Sequence, residues 1–110
     1  MDEAVRNRLL GLPSGIDRRT RQPVPLERVL GQPETVAAPQ TVSTEEWIAL
    51  VRARWLAGEW HDILYGHTEV DLTTAIAELE AQSAMGKDLL EIVQGAIEMS
   101  VEVVQESRSS

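Results

Sequence analysis

Cysteine is missing from this 110-residue chain, and with it go disulfides, thiolate metal sites and cysteine nucleophiles. Phenylalanine is missing too; three tryptophans and one tyrosine supply all the aromatic surface. All four lie between positions 47 and 65, so the best anchors for a core are concentrated in one short stretch. No run of about 18 apolar residues occurs, which excludes a membrane-spanning helix. There is no Gly-rich phosphate loop and no nucleophile motif. The opening Met-Asp-Glu leads into no apolar segment of signal-peptide type, so export by that route is not expected. A cytoplasmic setting is the expectation, and the lack of cysteine is compatible with it.

Basic residues are scarce in the back two-thirds. Residues 1–43 carry six arginines against five acids, whereas residues 44–110 carry four basic residues against thirteen acids. The net charge of −8 therefore sits on the body, which discourages nucleic acid from binding there. Proline is distributed the other way. Pro13, Pro23, Pro25, Pro33 and Pro39 all precede residue 40, and together with Gly11, Gly15 and Gly31 they argue against regular structure in residues 1–43.

Two helical turns are nevertheless expected in that front third, over residues 2–10 and 25–30. In the first, acids precede Arg6 and Arg8, and Gly11 with Pro13 provides a stop; in the second, Pro25 stands at the start and Gly31 with Pro33 ends it. They share a pattern twenty residues apart: Arg8-Leu9-Leu10-Gly11-Leu12-Pro13 and Arg28-Val29-Leu30-Gly31-Gln32-Pro33. Two copies of one docking element on a tether would raise avidity, which makes Leu9, Leu10, Val29 and Leu30 candidate partner-binding residues. The plainer reading is a common way of ending a short helix, used twice; the pattern is too short to name a family. Between the copies, Arg18, Arg19 and Arg21 form the only basic cluster, suited to phosphates or an acidic protein surface. No aromatic accompanies them for base stacking, so a solvated loop is the simpler account. Residues 34–43 read as a linker.

Order is expected from residue 44 onward. Ser43 with Glu46 three residues later is a capping-box pattern, and Val42 is placed to staple against Trp47. Trp47, Ile48, Val51, Trp55 and Leu56 follow at helical spacing, with Arg52 and Arg54 assigned to the other faces and Gly58 as the stop. Trp60, Ile63, Leu64 and Tyr65 suggest a second short helix ending at Gly66. The tryptophans are read as core residues.

From residue 72 a four-three spacing runs through Leu72, Ile76, Leu79, Ser83, Gly86, Leu90, Val93, Ile97, Ser100 and Val104, with Thr68 or Asp71 as the cap. A second row, Leu89, Ile92, Ala96, Met99 and Val103, runs beside it. Gly86 invites a break, with Asp88 and Glu91 repeating the capping pattern, but the seam keeps its phase across the joint. One continuous helix over 71–105 is therefore favoured over a helical hairpin. An apolar face that wide expects neighbours on two sides, so Leu89, Ile92, Met99 and Val103 join the candidate partner-binding residues.

The fold expected is all-α: a small helical bundle or helical hairpin with one long C-terminal helix, preceded by a Pro/Gly-rich, largely irregular arm. The divisions are a flexible arm at 1–43, a helical interaction domain at 44–106 and a disordered tail at 107–110. A non-enzymatic adaptor or assembly subunit, forming homo-oligomers or binding a protein partner, fits best. The second reading is an acidic inhibitor or antitoxin-type protein whose Asp88, Glu91, Glu98 and Glu102 occupy a basic nucleic-acid-binding surface on a target. The third, a small enzyme using His61, Asp62 and His67, is least supported. The two histidines are six apart, which turns them about 120° from each other on a helix and matches no metal-binding spacing. No cofactor or metal is expected.

Overall fold

The computed structural model of the chain describes residues 2–59, 63–65 and 67–109. It is mainly helical and ends in a long helix, but it also carries two small antiparallel sheets, so the all-α expectation holds only in part. In order, the elements are α1 (Glu3–Gly11), β1 (Pro13–Ile16), β2 (Pro23–Pro25), α2 (Leu26–Gly31), α3 (Thr44–Arg54), β3 (Ile63–Tyr65), β4 (Thr68–Val70), α4 (Leu72–Ala81) and α5 (Ala84–Ser109). Two 3₁₀ turns, Pro33–Thr35 and Pro39–Thr41, occupy the stretch read as a linker. A π-helical turn, Trp55–Glu59, follows α3.

The front third is folded, which corrects the expectation of a largely irregular arm. Proline and glycine are placed where a sheet edge tolerates them. Prolines open β1 and flank β2, and an irregularity between Pro13 and Gly15 takes up the mismatch in a register that pairs Gly15 with Val24 and Ile16 with Pro23. Gly15 has a steric reason to lack a side chain: a Cβ there would lie 2.9 Å from the Val29 methyl and 3.0 Å from that of Val36. The hairpin buries Leu12, Ile16, Val24 and Leu26 and packs on α3, while α1 and α2 lie against each other. The second short helix expected around Trp60 is also corrected, since Ile63–Tyr65 pairs as a strand with Thr68–Val70. Residues 60–62 lie outside the described residues.

The main core joins α3, β4, α4 and α5 through Val51, Trp55, Val70, Ile76, Leu79 and Val93 among others. Fully burying side chains of this size contributes about 1.5–3 kcal/mol each. The start signals read from sequence are present. Ser43 Oγ accepts from the Glu46 N–H at 3.1 Å, and the Glu46 carboxylate accepts from the Ser43 N–H at 2.9 Å. Asp71 accepts from the Thr74 N–H at 2.8 Å.

The continuous helix over 71–105 is not formed. The chain reverses at Gln82, whose φ of 52° is left-handed, and the Gln82 and Ser83 N–H groups close onto the carbonyls of Leu79 and Glu78. That is a helix stop with glutamine where glycine is usual. Ser83 then starts α5, its hydroxyl accepting from the Gly86 N–H at 3.0 Å. The seam keeps its phase because both helices turn it inward: Ile76 and Leu79 of α4 and Val93 of α5 share one core cluster, with Leu90 packed against it. Gly86 lies within a helix, at the place where α5 crosses the end of α4. A Cβ there would fall 2.2 Å from the Glu78 carbonyl oxygen.

Gly86→Ala should therefore lower stability, by about 1–3 kcal/mol, because backbone must move to admit the methyl. Gly95, in the same helix with nothing within 4 Å of its Cβ position, should respond oppositely. Gly95→Ala is expected to raise stability by about 0.5–1 kcal/mol through helix propensity. Urea unfolding of both variants checks the pair, and equal effects at the two glycines would contradict the close crossing.

Candidate functional site

Helix α3 is buried along two neighbouring flanks. Ile48, Val51 and Trp55 face the main core, while Leu50 and Arg54 lie on the flank that meets the hairpin. Arg54, assigned from sequence to an outer face, is only 3% exposed. Its Nη1 donates to the Pro13 carbonyl at 2.9 Å and to Ser14 Oγ at 3.1 Å, and its Nη2 donates to Ser100 Oγ at 3.3 Å. One guanidinium thus binds β1 and α5 to α3. Both serines keep their own acceptors, Leu12 O for Ser14 and Ala96 O for Ser100, each at 2.9 Å.

Above this contact, β1, α2, the 33–42 segment, α3 and α5 line a half-open apolar cleft of about 560 Å³. Its walls include Val29, Val36, Val42 and Ile97, with the half-buried Trp47 at one side. Gln94 and Glu98 of α5 bring the polar groups, and Glu98 is the only charged residue in the lining. A cleft in the range of about 300–1,000 Å³ with aliphatic and aromatic walls and few polar groups is the usual form of a small-ligand site. No periodicity along the sequence points to it, because its walls come from five separate segments.

The hairpin tip is organised by Asp17. Its Oδ1 accepts from the N–H groups of Arg19 at 2.7 Å and Thr20 at 2.8 Å, and Oδ2 pairs with the Arg28 guanidinium, which also donates through Nε to Thr35 Oγ1 at 3.2 Å. The two backbone donors foremost, then the Arg28 charge, hold the Asp17 carboxyl below the usual aspartate range against the opposing effect of burial. Arg18, Arg19 and Arg21 are left on the outside of the turn, with Arg21 Nε 3.7 Å from the Glu46 carboxylate.

The sequence-derived partner-binding residues thus fall into separate places. Leu9, Leu10, Val29 and Leu30 are half-buried in the paired front helices, and Val29 packs over Gly15. Leu89 is 2% exposed and belongs to the core, so it leaves the outer row. Ile92 and Met99 are 45% and 66% exposed, and with the half-buried Ala96 and Val103 they form an apolar strip along the outward flank of α5. His61 and Asp62 lie outside the described residues, and His67 is exposed. Among the described residues, no three His, Cys, Asp or Glu side chains are grouped as a metal site would need. No described helix is long and apolar enough to cross a membrane.

No family model matches the chain, and neither a curated protein nor a solved structure is significantly similar to it.

Replacing Arg54 by Met should cost about 2–4 kcal/mol in urea unfolding, since Pro13 O loses its buried donor and two hydroxyls lose their shared one. Arg54→Lys should recover only part of this, because one ammonium cannot reproduce the fork. A Met variant as stable as the parent would show that the hub is not needed. At the hairpin tip, the lowered carboxyl makes Asp17 a stabiliser above the ordinary aspartate value of about 3.9, and that contribution is lost as pH falls through its lower folded value. Asp17→Asn should thus lower the melting temperature near neutrality, and the gap should close on acidification toward about pH 2. Melts across that range check the sign.

Proposed function

We propose that the chain is a non-enzymatic assembly subunit, or adaptor, that associates with a second copy of itself through the outward flank of α5. The observation that carries this is the exposure of Met99 and Ile92 on one helical strip. Exposed apolar side chains joined in one strip mark an interaction surface in a way that scattered ones do not. Ala96 lies at the strip's centre and is small enough for two helices to approach. Antiparallel pairing about Ala96 sets Ile92 of one copy against Met99 of the other, and the same surface then serves both subunits.

Acidic side chains at Asp88, Glu91 and Glu102 border the strip and are exposed. Like charges brought together by self-pairing oppose it at low salt, so an apolar contact should hold or strengthen as salt is added. The acidic-inhibitor reading has the opposite salt dependence, because its attraction to a basic target is screened. The paired front helices, with Leu10 and Leu30 half-buried, serve in this reading as frame rather than as detached docking peptides.

Sedimentation velocity over a micromolar concentration series tests the proposal. The parent should show a reversible dimer, maintained at high salt. Ile92→Asp with Met99→Asp should weaken dimerisation at least tenfold, about 1.4 kcal/mol, with an unchanged far-ultraviolet spectrum. A parent that stays monomeric through the series overturns the proposal.

A further inference from the structure

The cleft lies on the flank of α5 opposite the strip, and it has a chemistry of its own. We propose that it binds a small amphipathic amine: an aliphatic body with one protonated nitrogen. Three observations fix that class. The volume of about 560 Å³ is that of a small-ligand site rather than a packing defect. Its walls are aliphatic side chains and the Trp47 indole, so the body of the ligand has to be apolar. The single charge in the lining is the Glu98 carboxylate, exposed and without an ion pair to any described residue, and no lysine or arginine lines the cleft to attract an anion.

The Arg54 guanidinium beneath the cleft is committed to Pro13, Ser14 and Ser100, so the charge that faces a ligand is that of Glu98, and complementarity selects a cation. The Gln94 carboxamide, one turn away on the same wall, supplies an acceptor for a second N–H of the ammonium. The Trp47 indole in the lining is a further group to which a cation is attracted. A carboxylate or phosphate head of the same body would meet Glu98 with like charge. A neutral alcohol would retain the apolar contacts and lose the ion pair.

Calorimetric titration of the full chain with octylamine, octanol and octanoate at neutral pH tests this, because the three probes share one body and differ in head group. The expected order is octylamine tightest, octanol weaker and octanoate weakest. Glu98→Gln, a change at an exposed helix position, should weaken octylamine up to about fivefold, the range of an exposed ion pair, and leave octanol unchanged. Ala38→Leu, which adds bulk to the cleft wall, should weaken all three together, with helix content by circular dichroism confirming that the variant folds. Octanoate binding as tightly as octylamine, or octylamine binding unaffected by Glu98→Gln, overturns the assignment. So does the absence of any heat with all three probes. Since the strip formed by Ile92 and Met99 lies on the other flank, these results are independent of whether the chain dimerises.

Discussion

A buried guanidinium holds this molecule together. Arg54 leaves the end of α3 and reaches β1 through Pro13 and Ser14 and α5 through Ser100, so it spans 41 residues of sequence in one direction and 46 in the other. A cation taken out of water is costly unless its donors are used, so the groups around it have few alternatives to their observed positions. The consequence reaches the front third. A hairpin of four- and three-residue strands is marginal alone, and the short helices α1 and α2 would not persist in water unaided. The hairpin docks on α3 beside Arg54 and Leu50, α2 packs on the hairpin, and α1 packs on α2 and α5, so buried apolar residues lie on two neighbouring flanks of α3.

What could be read from the residues was what local chemistry determines. Ser43 with Glu46 announces a helix start because a cap is a contact between residues three apart, and of the two cap candidates Thr68 and Asp71 it is Asp71 that accepts from the N–H three residues on. The long apolar seam was legible for the same reason. Its break was not, since a four-three phase is the same whether two segments run on in one line or fold face to face. The turn used Gln82 in a left-handed conformation that glycine would have signalled, and Gly86, which looked like the stop, proved to be a crossing point. Arg54, a charged residue beside Arg52, reads as surface until something distant supplies acceptors. In the front third the two short helices are legible from their stops, but the hairpin between them is not, because prolines that forbid a helix interior are permitted at the ends and edges of short strands.

The candidate site was legible only in part, and the difference follows the same line. The outer strip lies on one helix, so spacing alone located Ile92 and Met99, though Leu89 in the same row is turned into the core by the hairpin with α4. The cleft has walls from β1, α2, the 33–42 segment, α3 and α5, and no periodicity connects those positions. Trp47 illustrates the point. At helical spacing with Val51 and Trp55 it reads as core, yet it is half-buried and lines the cleft because the hairpin covers only part of that flank.

Both surfaces share one rigid support. Helix α5 is held at its start by the Ser83 cap and the Gly86 crossing, and further along by Ser100 against Arg54, and Ile92, Gln94, Ile97, Glu98 and Met99 all fall between those fixings. A flank fixed in advance loses little conformational freedom when something binds to it, so modest contacts yield measurable affinity. The fixings also make the two flanks depend on each other through the fold alone: loosening Arg54 would displace the wall that carries Glu98 and the strip that carries Met99 together. A substitution on either surface, by contrast, changes only its own contacts. This chain therefore separates what holds α5 in place from what α5 presents, and the separation rests on a charge that the sequence places among the surface residues and the fold takes inside.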